Sequence, residues 1–332
     1  MSNGTQTASG RILVVRLGAM GDIIHALPAV ASLKHRFPAG HLTWVVEPRW
    51  APLLQENPFI DRVVVLRRDS LRELAESWRA LRAMRYDFAV DFQGLLKSAL
   101  VASAARPGRI FGFHRSQARE PVAALFYSDK TVSRSAHIVD QNLELAAAGG
   151  ASNAVLQFPL PQGRAESALP SGDFVLASPL AGWRAKQWPL EHYRALAGLL
   201  KRELGVPLVL DGPPAALAVF AQAEPALPHA SSLAGLIYAT RRAAAVIGVD
   251  SGPLHMAAAL GKPGVAIYGP TDPTRNGPYG GSMRVLRSEG TVTTYKRGES
   301  IDPSMARIGP EEVFETLRSV LGQPSRPARC LN

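Results

Sequence analysis

The chain has almost no cysteine: Cys330 is the only one among its 332 residues. An internal disulfide is therefore impossible, and a reducing cytoplasm is the expected compartment. Long hydrophobic runs are also missing, because the longest candidate, 239–249, is interrupted by Arg241 and Arg242. A membrane-spanning helix needs about 20 apolar residues, and the opening MSNGTQTASG lacks the basic start of a signal peptide. These absences predict a protein that does not cross a membrane.

Negative charge is scarce relative to positive charge. The chain carries 37 Lys and Arg against 27 Asp and Glu, a formal net charge of +10. Residues 61–134 alone hold fourteen basic and eight acidic side chains. This surplus indicates either an anionic partner (nucleic acid, anionic lipid, or a phosphorylated or acidic substrate) or only the solvated faces of Arg-rich helices.

What is present is a regular alternation of short apolar runs and amphipathic segments. Apolar runs of this length, separated by helices, are typical of a parallel sheet covered on both faces. In the first half we expect strands at 12–15, 42–47, 63–66, 88–92 and 109–113, and helices at 23–36, 70–84 and 95–104. In the second half we expect strands at 174–178, 207–212, 245–249 and 264–269, and helices at 190–204, 232–242, 254–260 and 310–321.

The two halves are separated by segment 158–172, FPLPQGRAESALPSG, which reads as a linker because of its prolines and glycines. The length also exceeds that of one ordinary core. We expect an N-terminal domain at 10–160, a C-terminal domain at 173–309, and a helix at 310–322 that packs back toward the N-terminal domain. The predicted fold class is α/β, with two Rossmann-like, doubly wound domains facing a central cleft that binds ligands at the carboxyl ends of the strands.

A glycine-spaced turn, Gly18-Ala19-Met20-Gly21-Asp22, follows the first strand. Glycines let the backbone approach a ligand, and a helix start offers free N–H groups, so the turn suits an anion. Its spacing is not G-x-G-x-x-G and does not predict a dinucleotide site. Asp22 either caps its helix or acts as a general base, since a carboxylate at a helix N-terminus stays ionised at neutral pH.

A second candidate site is the stretch VIGVDSGPLHMAAALGKP, residues 246–263. Here a buried strand ends in Asp250, Ser251 and Gly252, and the following helix carries His255. Small hydroxyl and glycine residues at a helix N-terminus favour a phosphate. The alternative is an ordinary capped helix with a histidine at the edge of the core.

Two loops of the second half are further candidates. In GWRAKQWP, residues 182–189, Lys186 either reaches a phosphate or is a solvated lysine. The loop YGPTDPTRNGPYG, residues 268–280, follows a strand end and is expected to line the cleft.

Basic residues of the first half lie in two further stretches. DFQGLLKSAL, residues 91–100, contains Lys97, and residues 115–127, RSQAREPVAALFY, contain Arg115 and Arg119. They are either ligand-binding cations or surface charge.

Together these stretches resemble the lipopolysaccharide heptosyltransferases of glycosyltransferase family 9, which are inverting enzymes with the GT-B fold. The resemblance extends from Arg11 to about Leu321 and is strongest in MGDIIHALPAV, VDSGPLHMAAALGKP and YGPTDP. DFQGLLKSA and SQAREPVAALFY are similar to heptosyltransferase I in particular.

The resemblance implies ADP-L-glycero-β-D-manno-heptose as donor and a Kdo residue of Kdo-lipid A as acceptor. It implies Asp22 as the catalytic base and Lys186 as the lysine of the donor phosphates. The nucleotide-sugar site would further include Gly21, Ala181, Gly182, Ser231, Asp250, Ser251, Gly252 and His255. The acceptor-binding cations would be Arg67, Arg68, Lys97, Arg115 and Arg119.

The resemblance also implies where the protein works. We expect a monomer, peripheral on the anionic cytoplasmic face of the inner membrane of a Gram-negative bacterium, in lipopolysaccharide inner-core biosynthesis. We expect no cofactor, no resident metal and no nucleic-acid partner; ADP-heptose is a substrate.

Some positions depart from the family pattern and keep alternatives open. Ala181 and Gly182 stand where hydroxyl residues are common, and the run 213–216, PPAA, lacks a carboxylate expected near the ribose. A heptosyltransferase II-like enzyme, or another GT-B transferase with a different nucleotide sugar, is therefore an alternative. A non-enzymatic lipid A-binding module is a second. A nucleic-acid-binding protein would need a reading helix or an aromatic-basic surface, and we find neither.

Overall fold

The structure is a computed structural model that describes residues 10–321. Cys330 and position 322 of the predicted last helix lie outside the described residues. Contacts divide the chain into two units, unit 1 and unit 2, whose boundary in the sequence lies between Pro161 and Gln162. This boundary falls inside the segment predicted as a linker.

Unit 1 is built around one sheet. Its elements are β1 (Arg11–Val15), α1 (Met20–Arg36), β2 (His41–Val46), β3 (Arg62–Val65), α2 (Leu71–Arg82), β4 (Phe88–Asp91), α3 (Leu96–Ala104), β5 (Arg109–Phe113), β6 (Asp129–Thr131) and α4 (Ile138–Ala148). In the described part of this unit, six parallel strands form a sheet of order β3-β2-β1-β4-β5-β6.

Unit 2 repeats this architecture. Its elements are β7 (Val175–Ser178), α5 (Leu190–Leu204), β8 (Leu208–Gly212), α6 (Leu217–Phe220), β9 (Leu227–Ala230), α7 (Leu233–Arg242), β10 (Ala245–Val249), α8 (Gly252–Ala259), β11 (Gly264–Tyr268), α9 (Pro273–Asn276), β12 (Met283–Arg287), α10 (Pro303–Ala306) and α11 (Pro310–Leu321). The described strands form a parallel sheet of order β12-β11-β10-β7-β8-β9. Each sheet has the doubly wound order 3-2-1-4-5-6, so the prediction of two Rossmann-like α/β domains is confirmed.

The central strands are buried on both faces, which explains their unbroken apolar sequences. Every residue of β10 and β11 is buried, and in β1 only Arg11 is exposed. Helices on each side exclude water from such strands and supply the main stabilisation through apolar burial. On one face of the first sheet, side chains from α2, α3 and the 3₁₀ helix Pro121–Phe126 share a single apolar cluster.

Local signals set several helix ends. The Ser70 hydroxyl caps α2 by accepting a bond from the Glu73 amide at 3.2 Å. Helix α5 is capped at its C-terminus by Gly205, whose left-handed conformation (φ +66°) suits glycine. The prediction for α1 was less accurate: the helix begins at Met20, not Ile23, so Asp22 lies within its first turn.

Several elements were not predicted from the sequence. Strands β6 (DKT) and β9 (LPHA) are sheet edges without an apolar run, and β12 (MRVLR) has basic residues that interrupt its apolar ones. Helix α4 does carry a usable signal, because its buried Val139, Asn142, Leu145 and Ala146 recur at helical spacing.

Helix α11 matches the predicted bounds 310–321. Its buried side chains Val313, Phe314 and Leu317 belong to the core of unit 2 together with residues of α5 and β11. Contact of this helix with the N-terminal domain stays a prediction. None of the helices within 10–321 has both the length and the apolar character needed to span a membrane.

Candidate functional site

Several of the predicted site residues follow the central strands of the two sheets, whereas Arg67 and Arg68 follow β3 and Ser231 follows β9, at sheet edges. In a doubly wound sheet, the loops after the two central strands diverge and leave a crevice for ligands. In unit 1 these strands are β1, followed by Asp22, and β4, followed by Gln93. In unit 2 they are β7, followed by Lys186, and β10, followed by Asp250.

Asp22 is the centre of the candidate site in unit 1. Its Oδ2 accepts a bond of 3.2 Å from the backbone amide of Ala19, the residue that precedes α1. Its Oδ1 also lies 2.7 Å from Nη2 of Arg16, and Arg119 Nη2 lies 3.0 and 3.1 Å from the two carboxylate oxygens. The carboxylate thus contributes to the helix start and faces two guanidinium groups as well, and it keeps 19% side-chain exposure.

Arg16 was missed by the sequence analysis because it continues the apolar run of β1. Its side chain is buried (2% exposed), and its Nη1 donates to the carbonyl of Phe92 at the end of β4. Burial lowers the pKa of Arg16, and the negative charge of Asp22 counteracts that effect. Arg16 therefore holds Asp22 at the point where the loops after β1 and β4 diverge.

Arg119 reaches Asp22 because its loop is fastened to the start of α3. The amide of Glu120 donates to the carbonyl of Gly94 at 2.9 Å, and the Glu120 carboxylate accepts from the amide of Leu96 at 2.7 Å. Gly94 has φ +67°, and a Cβ placed there would lie 3.2 Å from the Arg119 amide nitrogen. Hydrogen bonds thus join the stretches 91–100 and 115–127, and this contact positions Arg119.

Asp91 stabilises the end of β4. It is fully buried and accepts bonds from the Tyr127 hydroxyl (2.7 Å), the Ser98 hydroxyl (2.8 Å) and the Gln93 amide (2.8 Å). Burial raises the pKa of Asp91, partly offset by these bonds, and burial together with Asp91 raises the pKa of Tyr127. The Gln93 side chain in turn accepts from the Leu17 amide at 2.7 Å, which joins the ends of β4 and β1.

Glu47, at the end of β2, collects two of the predicted acceptor cations. Its Oε1 lies 2.8 Å from Arg68 Nη2 and 3.2 Å from Lys97 Nζ. Glu47 is only 14% exposed, whereas Arg68 and Lys97 are 51% and 42% exposed. The Glu47 carboxylate therefore holds the charged groups of Arg68 and Lys97 together, while both side chains remain partly exposed to solvent.

The other predicted cations of unit 1 are Arg67 and Arg115, and both have exposed side chains. Gly21 is buried in the first turn of α1.

In unit 2, Asp250 is the point on which the predicted residues converge. It is 4% exposed. Its Oδ2 lies 2.9 Å from Lys186 Nζ, and its Oδ1 lies 2.9 Å from Asn276 Nδ2 and 3.5 Å from His255 Nε2. Burial alone would raise the pKa of Asp250, but the bond from His255 and the charge of Lys186 outweigh it and hold that pKa well below its usual range.

The start of α8 carries polar groups suited to an anion. Ser251 is the N-cap residue, yet its hydroxyl makes no capping bond. Within residues 10–321, the buried hydroxyl oxygens of Ser251 and Thr271 have no hydrogen-bond partner. An N-cap hydroxyl and the first amides of a helix form a typical phosphate site.

The residues that depart from the family pattern lie in this unit. Ala181 packs partly buried against the core, and a Cβ at Gly182 would meet nothing within 4 Å. Residues Pro214–Ala216 form a short 3₁₀ turn with Ala216 buried.

Ser231 donates to Oδ1 of Asp211 at 2.8 Å, and the same oxygen lies 2.7 Å from His229 Nδ1. Asp211 is a buried carboxylate within β8 that the sequence analysis missed.

Residues 74–303 match glycosyltransferase family 9 (heptosyltransferase). Lipopolysaccharide heptosyltransferase 1 of Escherichia coli K12 is 31% identical over 309 residues, which cover 84% of this chain and 93% of the relative. Lipopolysaccharide heptosyltransferase 2 of Salmonella typhimurium is 28% identical and covers 94% of this chain and 99% of its own.

Solved structures extend this similarity to the fold. The E. coli heptosyltransferase WaaC with ADP superposes with a TM-score of 0.75 at 28% identity, covering 93% of this chain and 99% of the other. WaaC with ADP-2-deoxy-2-fluoro heptose gives 0.71 at 29% identity, with 92% and 98% covered. The chain therefore belongs to glycosyltransferase family 9, as a GT-B enzyme that transfers heptose in the biosynthesis of the lipopolysaccharide core.

Proposed function

We propose that this enzyme is a heptosyltransferase I, which moves heptose from ADP-L-glycero-β-D-manno-heptose to a Kdo residue of Kdo-lipid A. The observation that carries the proposal is the position of Asp22. It is a part-exposed carboxylate after β1, where the loops that follow β1 and β4 diverge, and it faces Arg16 and Arg119. The E. coli and Salmonella relatives support the reaction class, and the WaaC structures with ADP and with ADP-2-deoxy-2-fluoro heptose support the donor.

In the proposed reaction, Asp22 accepts the proton of an acceptor hydroxyl as that oxygen bonds to the anomeric carbon of heptose. The bond from the anomeric carbon to the diphosphate breaks, and its electron pair leaves with ADP. One displacement inverts the anomeric configuration and passes through an oxocarbenium-like transition state. Lys186 and the amides at Ser251 and Gly252 would stabilise the charge that develops on the diphosphate.

The acceptor would be bound by the cations of unit 1. Kdo carries a carboxylate and lipid A carries phosphates, which suit guanidinium and ammonium groups. Three of these cations are held by carboxylates: Arg68 and Lys97 pair with Glu47, and Arg119 pairs with Asp22. Arg67 and Arg115 are exposed and extend it.

We also propose that unit 1 docks on an anionic membrane surface. Leu96 and Leu100 lie one turn apart on α3, Val122 and Leu125 lie one turn apart on the adjoining 3₁₀ helix, and all four are exposed. We call these four residues the apolar face. Lys97 and Arg119 adjoin it in the sequence, and basic charge beside exposed apolar side chains favours anionic lipid. The localisation follows: the cytoplasmic face of the inner membrane of a Gram-negative bacterium.

A heptosyltransferase II-like specificity is the second candidate. The Salmonella heptosyltransferase 2 aligns with more of this chain than the E. coli heptosyltransferase 1 does, and the family hydroxyls are missing at Ala181 and Gly182. Family membership favours an enzyme over the lipid A-binding module. We expect a monomer without cofactor, metal or nucleic-acid partner.

Transfer assays with ADP-heptose test the proposal. The purified protein is given Kdo-lipid A or the same acceptor that already carries one heptose, and the products are identified by mass spectrometry. Heptosyltransferase I activity requires a product from the first acceptor, whereas a product from the second alone would support the second candidate. Calorimetric titration with ADP, UDP and GDP tests the donor: preferential binding of UDP or GDP would reject ADP-heptose.

A further inference from the structure

Residues 291–302, between β12 and α10, cross the carboxyl edge of the second sheet; we call them the crossing segment. At one end the Thr294 amide donates to the carbonyl of Pro270, in the loop after β11, at 2.7 Å. At the other end the Asp302 amide donates to the carbonyl of Ala185, in the loop after β7, at 3.2 Å. Because β10 lies between β11 and β7, the crossing segment passes the end of β10, where Asp250 and Ser251 lie.

This path brings Arg297 to the same indole ring as the predicted phosphate lysine. The Cζ of Arg297 lies 5.8 Å from the centroid of the Trp183 ring, and Lys186 Nζ lies 4.7 Å from the same centroid. An indole ring attracts cations through its quadrupole, so Trp183 attracts both positive groups. The crossing segment also lies close to the loop after β7 at Gly298, since a Cβ placed there would lie 3.3 Å from the Cβ of Ala185.

The two cations differ in how their charge is balanced. Lys186 is paired with Asp250 and is 14% exposed. Arg297 is exposed and, among the described residues, forms no ion pair with a carboxylate. A single ammonium shared with Asp250 is a weak match for two adjacent phosphates, whereas an additional guanidinium supplies several N–H donors and an unbalanced charge.

We propose that Arg297 is a second diphosphate-binding residue of the donor site, held in place by Trp183. The inference rests on the proposed function, because it takes ADP-heptose as the donor. Arg297 donates N–H bonds to the phosphate oxygens, including those that gain charge when the sugar–phosphate bond breaks. No sequence motif marks this arginine, which 124 residues separate from the linker.

The test compares ADP with AMP, which lacks the second phosphate. Calorimetric titrations are made on the wild type, on Arg297→Gln and on Arg284→Gln, an exposed arginine near the opposite, amino end of β12. We expect Arg297→Gln to weaken ADP binding about tenfold and AMP binding by less than about twofold, as for loss of one charged hydrogen bond. Arg297→Lys, which keeps the charge, should recover part of the ADP affinity, and Arg284→Gln should match the wild type.

Each outcome bears on a definite part of the proposal. If the wild type binds ADP and Arg297→Gln binds it equally well, or if ADP and AMP weaken by the same factor, the assignment of Arg297 is overturned while the proposed function stands. If the wild type binds no ADP, the donor and the role of Arg297 fall together. Equal unfolding temperatures of the variants and the wild type exclude a folding defect as the cause.

Discussion

Arg119 Nη2 lies 3.0 and 3.1 Å from the two carboxylate oxygens of Asp22, a residue 97 positions earlier in the chain. The predicted base and the best-matched acceptor cation are therefore in direct contact. An acidic acceptor that binds Arg119 would be held beside Asp22 by the same contact. The pairing links acceptor binding to the position of proton transfer.

The first prediction concerns Asp22 itself. Asp22→Asn keeps an oxygen that can accept the Ala19 amide and so preserves the helix start, but amide oxygen is a very weak base. We expect kcat to fall at least about 100-fold with ADP affinity near the wild-type value. Steady-state kinetics and ADP calorimetry check this, with exposed Asp69→Asn as control. Near-normal turnover would reduce Asp22 to a structural role at the helix start.

The second prediction concerns Glu47. Glu47→Gln removes the charge that holds Arg68 and Lys97 together, so their relative positions should loosen. We expect the acceptor KM to rise about three- to tenfold with kcat little changed, since exposed ion pairs contribute only about 1 kcal/mol. Glu76→Gln, which breaks the exposed pair with Arg72, is the matched control and should leave both constants unchanged. An unaltered KM in Glu47→Gln would contradict a role for this carboxylate.

The third prediction separates backbone strain from loop placement at Gly94. Gly94 and Gly205 have nearly the same positive φ, +67° and +66°, but only Gly94 has close neighbours. Alanine at either position should cost about 1–2 kcal/mol of unfolding free energy. Only Gly94→Ala should also impair acceptor turnover, because its Cβ would press on the Arg119 amide. Equal kinetic effects of the two substitutions would refute this placement role.

The fourth prediction concerns acid stability at Asp250, which faces Lys186, His255 and Asn276. Its pKa is lowered on folding, so it stabilises the protein above the unfolded value of about 3.9 and this contribution is lost as the pH falls below that value. In Lys186→Met, burial acts on Asp250 with less opposition and its folded pKa rises toward the unfolded value, so the loss of stability on acidification should be smaller than in the wild type.

Denaturant unfolding between pH 3 and 7 measures this difference. The same Lys186→Met change in an Asp250→Asn background should show no such pH-dependent difference. A persistent difference there would assign the effect to another group.

The fifth prediction concerns the apolar face. Leu100→Ser with Leu125→Ser should lower binding to vesicles of phosphatidylglycerol and phosphatidylethanolamine about tenfold, through lost burial of two leucines. Val219→Ser, at an apolar position of unit 2 with 48% exposure against 47% for Leu100, should not change binding. Co-sedimentation checks both, and transfer to acceptor in detergent should be unaffected. Unchanged vesicle binding of the double variant would reject this face as the docking surface.

The residues that the sequence could indicate are those next to an apolar run and a helix start. Asp22, Ser251 and Lys186 all follow a strand in this way, and the strands themselves are continuous apolar segments. Arg16, Glu47 and Asp211 gave no such signal, because no α-helix starts directly after them and their partners Phe92, Arg68 and His229 lie 76, 21 and 18 residues away. Lys186 and Asp250 are 64 residues apart and meet only because β7 and β10 are neighbours in the sheet.

The ion pair between Lys186 and Asp250 places a carboxylate in the proposed donor site that would compete with phosphate for the ammonium. A phosphate that binds the Lys186 ammonium must share it with a carboxylate 2.9 Å away that is already held by two other side chains. Donor affinity would then reflect an exchange between two anions rather than the full attraction of a lone cation. Such an exchange weakens the binding of ADP as much as that of ADP-heptose, and so favours release of the product ADP.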